Sequence, residues 1–303
     1  MAFIMKKMLL VFNPNSGRGE FKKNLYEVIE IFTRADYEVA VYPTAGSGDA
    51  YAYIRERGGG FDLILCSGGD GMINEAVNAY MNMDSPPNLA YIPSGTTNDF
   101  AFSLGLPRDV IQSANAVLNG RQGMIDVGAF GDKYFAYVAA FGWFTSIPYT
   151  TDTGVKNILG RAAYLLEGIK YITNIPSIEC SIDVDGEIIN GNFALGIIAN
   201  GTSVAGFRSI TESGGAIDDG LFEVVLVRSP ENFTESQEIM STLLDPQANT
   251  PLVLHRSAKK VVFTSAQSCD WTIDGEFGGQ HRHIVMENIH HAINIIVSAA
   301  ADE

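Results

Sequence analysis

The chain has 303 residues, 46% hydrophobic and only 18% charged, which excludes disorder and coiled coil and leaves room for two modest globular domains. Lysine plus arginine is 20 against 35 aspartates and glutamates, so the formal charge is −15 and no nucleic-acid partner is expected. Cys66, Cys180 and Cys269 are odd in number, far apart and set in apolar or strand-like text, so they read as reduced thiols.

The opening MAFIMKKMLLVF imitates a leader, but its apolar stretch after Lys7 is short, meets Asn13-Pro14 and has no small-residue cleavage site. It reads as a first strand. From residue 6 to about 126, strands alternate with helices. MLLVFNP is a strand, Phe21 to Ala35 a helix with Leu25, Val28, Ile29 and Phe32 on one face, Tyr37 to Tyr42 a strand, and Asp49 to Arg57 a short helix. FDLILC is a buried strand, Ile73, Ala76, Val77, Tyr80 and Met81 mark a helix, and NLAYIP is the next strand. This rhythm predicts an α/β domain with a parallel sheet over 1–127.

Beyond that point hairpins take over. Phe130 to Gly142, Ile178 to Asn200, Leu221 to Val227, Val261 to Ser265 and Cys269 to Phe277 are strand-like, with turn signals at Gly131-Asp132, Asp185-Gly186 and Asp274-Gly275. An antiparallel β domain is expected over 128–288, interrupted by helical patterns at Asn157 to Tyr171 and about Glu235 to Leu244. The uncharged run Tyr134 to Thr151 is broken by Gly142, Pro148 and several hydroxyls and fails as a membrane span, so a cytoplasmic protein is expected. His281, His283, His290 and His291 cluster in sequence but have no cysteine or HExxH partner, so no zinc site is expected from their spacing.

Chemistry concentrates in three glycine-and-hydroxyl turns, each at the carboxyl end of a predicted parallel strand, where α/β sheets bind ligands. They are Asn13-Pro14-Asn15-Ser16-Gly17-Arg18, Ser67-Gly68-Gly69-Asp70-Gly71, and Pro93-Ser94-Gly95-Thr96-Thr97-Asn98-Asp99. A strand, a glycine turn and a helix N-terminus make an anion site, because backbone N–H groups and the helix dipole converge where no side chain intervenes. The second turn is neither a Walker A loop nor GxGxxG, and by itself reads equally as a plain tight turn. Asp70 offers a carboxylate suited to a Mg²⁺-bound phosphate oxygen. Together the three turns point to a nucleotide.

The N-P-x-S-G turn, GGDGMINEA and PSGTTNDFA resemble the catalytic domain of the diacylglycerol kinase family, which includes soluble bacterial diacylglycerol kinases and related bacterial lipid kinases. The likeness continues through LGRAAYLLEGIKY, GGAIDDGLFEVVLV and WTIDGEFGG. It implies a nucleotide-binding α/β domain and a C-terminal β-sandwich that takes the lipid, with a tail at about 289–303 returning to the first domain. It further implies an ATP- and Mg²⁺-dependent lipid kinase that phosphorylates diacylglycerol or a related lipid alcohol during transient, peripheral membrane contact; a homodimer is left open. Two alternatives remain at this stage: a nucleotide-binding pseudokinase or regulatory protein of the same fold, and NAD kinase or phosphofructokinase chemistry, which shares GGDG but predicts a different second half.

By the same resemblance, Asn13, Pro14, Asn15, Ser16, Gly17 and Arg18 contact the phosphates; Thr44, Gly68, Gly69, Asp70, Gly71 and Asn74 line the site; and Thr96, Asn98 and Asp99 close it. Glu276 matches the general base, chosen over Glu187 in the identical Asp-Gly-Glu text because Phe-Gly-Gly follows it. Asp218 supports the base through water, and Asp219 with the carbonyls of Ala216 and Leu221 holds a structural Mg²⁺. Three positions depart from the pattern: Met72 stands for a threonine whose hydroxyl would serve the phosphate turn, Arg18 for a lysine, and Glu167 for a lysine.

Overall fold

The computed structural model describes residues 5–17, 19–95, 98–143, 177–201, 216–244 and 248–298. The helical pattern expected at Asn157 to Tyr171, with Glu167, lies outside them. The chain divides into two compact units, Met1–Val127 with His290–Glu303, and Gly128–Ile289.

The first unit is built on β1 (Lys6–Phe12), α1 (Glu20–Arg34), β2 (Tyr37–Pro43), α2 (Asp49–Arg57), β3 (Leu63–Gly68), α3 (Asp70–Met81), β4 (Asn88–Pro93), α4 (Asp99–Ser103) and α5 (Val110–Leu118). β1 pairs parallel with both β2 and β3, and β3 pairs parallel with β4. Met8, Leu9, Leu10 and Val11 are wholly buried, as is every residue of β3, because helices cover a parallel sheet on both faces and its strands must be apolar throughout. Each buried Met, Leu, Ile or Val side chain among them contributes about 1.5–3 kcal/mol relative to exposure. Phe21, Val28 and Phe32 form the buried stripe of α1. The Asp109 carboxylate caps α5 by accepting from the N–H groups of Ile111 and Gln112 at 3.1 and 2.9 Å.

The second unit follows β5 (Arg121–Phe130), whose end pairs with β6 (Lys133–Phe135). Then come β7 (Val138–Gly142), β8 (Ile178–Val184), β9 (Glu187–Ala199), β10 (Phe222–Arg228), α6 (Phe233–Leu244), β11 (Val253–Ala258), β12 (Lys260–Ile273) and β13 (Glu276–Val297). The ladders in the order β11, β10, β9, β7, β12, β13 are antiparallel, as are those of β8 with both β9 and β12. Alternation along β10 sends Phe222, Val224 and Leu226 into one core and Val225 and Val227 into another, which Ile239 of α6 helps to fill. The first core centres on Trp271, whose ring lies 4.9–5.3 Å from those of Phe141, Phe263 and Phe130.

One feature escaped the sequence reading: β12 runs unbroken through a register shift between Thr264 and Cys269, where the sequence suggested two strands. β13 has 22 residues, and near its end Ile295 lies opposite Leu89 of β4 in a parallel pair, so its last part belongs to the first unit. Burial pushes the Cys180 and Cys269 thiols up to about 12, and that of Cys66 further, so all three are inert core groups.

Candidate active site

The three turns of the first unit interlock. Asn13 follows β1 and donates its N–H to the Ser67 carbonyl at 3.0 Å, while its side-chain oxygen accepts the N–H of Asn15 at 2.9 Å, an Asx turn that shapes the first loop. Gly17, at φ +55°, lies so close to the third loop that a Cβ there would be 2.4 Å from the Ser94 carbonyl oxygen. Gly95 approaches the second turn equally closely: its Cβ would be 2.5 Å from Gly69 Cα.

Hydrogen bonds fix this approach. The Gly68 carbonyl accepts from the N–H groups of Ser94 and Gly95 at 2.9 and 3.0 Å and from the Tyr91 hydroxyl at 2.8 Å. Ser67 donates its hydroxyl to that of Ser94 at 3.1 Å. Asn98, at φ +56°, closes the third loop on itself, accepting from the Gly95 N–H at 2.9 Å and donating to its carbonyl at 2.8 Å. Thr44 hangs on the end of β1 through its N–H to the Phe12 carbonyl at 2.9 Å. The helix dipole of α3 opens at Asp70, directly after Gly69, and Asn74 sits one turn along it. Glycines at mutual contact, with a helix N-terminus among them, are the backbone features that phosphate-binding turns use.

Two residues given no role in the sequence reading support these turns. Tyr91 read simply as strand text, yet burial and the Asp70 charge push its phenol well above its ordinary range, so it stays protonated and donates to Gly68. Glu75, within the GGDGMINEA text, accepts the N–H groups of Gly48 and Tyr51 at 2.7 and 3.2 Å and so ties the start of α2 to α3. Met72 is buried, and a Cβ on Gly68 would lie 2.5 Å from Met72 Cβ, so the two positions pack against each other.

In the second unit, Glu276 is exposed and follows a two-residue turn with φ +48° at Asp274 and +83° at Gly275. Asp274 is buried, and its carboxylate accepts the N–H groups of Ala136, Tyr137 and Val138 at 2.7, 3.0 and 3.1 Å, which locks the hairpin in place. Glu187 follows a turn of the same shape but is gripped by Arg256 through two bonds of 2.8 Å, which hold its carboxyl below the usual range. Asp219 accepts the N–H groups of Ala216 and Leu221 at 3.1 and 2.9 Å, drawing both peptide units around one carboxylate, with Asp218 beside it in the chain. One carboxylate and nearby main-chain carbonyls are the hard oxygen donors that suit Mg²⁺. Arg18 and Thr96 lie outside the described residues, and of Asp99 only the backbone, at the start of α4, is described.

Residues 7–130 match the model of the diacylglycerol kinase catalytic domain. The chain is 34% identical to the diacylglycerol kinase of Bacillus subtilis strain 168, over 93% of this chain and 97% of that one. It is 31% identical to the diacylglycerol kinase of Staphylococcus aureus strain bovine RF122, over 91% and 87%. The structure resembles that of a diacylglycerol kinase from Bacillus anthracis strain Sterne with a TM-score of 0.83 at 25% identity, covering 97% of this chain and 98% of that one. With these likenesses running over nearly the whole chain, the chain belongs to the diacylglycerol kinase family.

Proposed function

We propose that the chain transfers the γ-phosphoryl group of ATP to the hydroxyl of diacylglycerol or a closely related lipid alcohol. The observation that carries this reading is the interlocked cradle at Gly17, Gly68, Gly69 and Gly95, in a chain of this family. In it, the first unit is the nucleotide-binding domain and the second, a β-sandwich in our reading, receives the lipid.

Phosphoryl transfer passes through a loose transition state, so the protein's work is positioning and charge stabilisation. The Asn13–Gly17 turn, through its polar side chains and Gly17, and the Gly68–Gly71 turn contact the phosphate oxygens, with Thr44, Asn74 and Asn98 at the margins. Asp70 would hold Mg²⁺, which when bound neutralises charge on the transferring phosphate. Glu276 orients the lipid hydroxyl and takes its proton late in the transfer. Glu187 is unsuited to this, because a carboxylate stabilised by a bidentate guanidinium is a weaker base. Asp219 with the Ala216 and Leu221 carbonyls would hold a structural Mg²⁺, and Asp218 steadies Glu276 through water. No helix among the described residues is long and apolar enough to cross a membrane, and access to lipid is peripheral in this reading.

The test is ATP turnover against lipid alcohols presented in mixed micelles, with diacylglycerol, monoacylglycerol, sphingosine and ceramide in parallel. Diacylglycerol-dependent ADP formation with a matching phosphorylated lipid is the expected result. ATP binding with no transfer to any acceptor would favour a regulatory protein of the same fold.

A further inference from the structure

We propose that Asp126, His290 and His291 form a binding site for a divalent transition-metal ion, with Zn²⁺ the best chemical match. Their ligand atoms lie within 4.8 Å of one another, and all three residues belong to the first unit. Asp126 lies on β5 and has no solvent exposure; its Oδ1 lies 2.9 Å from His290 Nδ1 and accepts the His291 N–H at 2.7 Å.

The arrangement required a break in the strand. Successive side chains of β13 should point to opposite faces, so adjacent histidines would normally be separated by the sheet. At His291 the backbone turns to φ +52°, a left-handed conformation uncommon for a residue with a Cβ, and the two rings come face to face with centroids 3.6 Å apart. The result is two imidazoles and one carboxylate on the same side, a donor set of borderline softness that takes Zn²⁺ in preference to Mg²⁺. Both rings are exposed and can fan apart to tetrahedral angles, and the remaining positions would be filled by water. Binding replaces the hydrogen bond between His290 Nδ1 and the Asp126 carboxylate with bonds from both groups to the metal. Sequence spacing hides the site because the carboxylate is 164 residues away from its histidine partner.

Isothermal titration of the chelator-treated protein with Zn²⁺ alone tests this. One ion per chain, binding at micromolar or tighter affinity, is expected. His290→Ala and His291→Ala should each weaken binding at least ~10-fold, and the visible absorption of the Co²⁺-substituted protein should fade with them. The double variant His281→Ala/His283→Ala, on the same strand, should bind as the unaltered protein does. Because Asp126→Asn removes a buried hydrogen-bonding group and risks misfolding, the histidine variants, checked for unchanged Tm without metal, carry the test. Absence of Zn²⁺ binding, or binding indifferent to His290 and His291, overturns the proposal.

Discussion

Glu276 and Glu187 end identical Asp-Gly-Glu turns and differ only in their surroundings. Replacing Glu276 by Gln should lower phosphotransfer at least ~10²-fold while ATP affinity holds, since the base is lost and the phosphate turns are untouched. Glu187→Gln should keep near-normal turnover, and steady-state kinetics on the pair of variants decides between them. Arg256 lowers the Glu187 pKa in the fold, so this exposed pair contributes above the ordinary glutamate range and is lost as pH falls through the lowered value; at neutral pH it is intact. Met72 calls for the opposite of a sequence-based repair. A threonine there would restore no hydroxyl to a phosphate but would bury one and leave a void beneath Gly68. Met72→Thr should therefore destabilise the protein by ~1–3 kcal/mol with no gain in turnover, measurable as a shift in the urea midpoint. An activated enzyme of normal stability would return Met72 to the phosphate-facing side.

At the scale of elements, strongly periodic text was legible and irregular text was not. The helix Asp49–Arg57 falls on its expected bounds, and α1 differs by one residue at each end, because Val28 and Phe32 recur at helical spacing and must be buried. α3 starts at Asp70, before its first apolar marker at Ile73, since capping by Gly69 and dipole geometry leave no hydrophobic trace. α5 was not anticipated, although Val110, Ala114 and Val117 recur at helical spacing behind the Asp109 cap. The close contacts that make the cradle were invisible: a glycine in a sequence says that a side chain is absent, not what lies against it. Gly95→Ala tests that contact. Its Cβ would meet backbone of the second turn, which cannot swing aside like a flexible side chain, so the two loops must separate. We expect the ATP KM to rise at least ~10-fold and Tm to fall by several degrees, consistent with ~1–3 kcal/mol of lost stability. Gly60→Ala, where nothing lies within 4 Å of the new methyl, serves as the control and should leave ATP KM unchanged.

For the whole molecule, the charge of −15 governs how the protein meets a bilayer. A polybasic surface binder gains about 1 kcal/mol per cation near anionic lipid and loses it as salt screens the attraction over a Debye length of ~10 Å at 0.1 M. An acidic protein has the reverse problem: long-range repulsion opposes approach, and salt relieves it. Exposed apolar side chains such as Phe277, directly after Glu276, offer contact energy that salt does not weaken. Sedimentation with vesicles of anionic phosphatidylglycerol and diacylglycerol should therefore show binding that stays level or rises as salt is raised from about 50 to 200 mM, and activity on those vesicles should follow the same course. A steep loss of both over that range would mean that the lysines of one face, with Lys22 and Lys23 on α1 the first to test by charge reversal, overcome the net charge locally and carry the membrane contact.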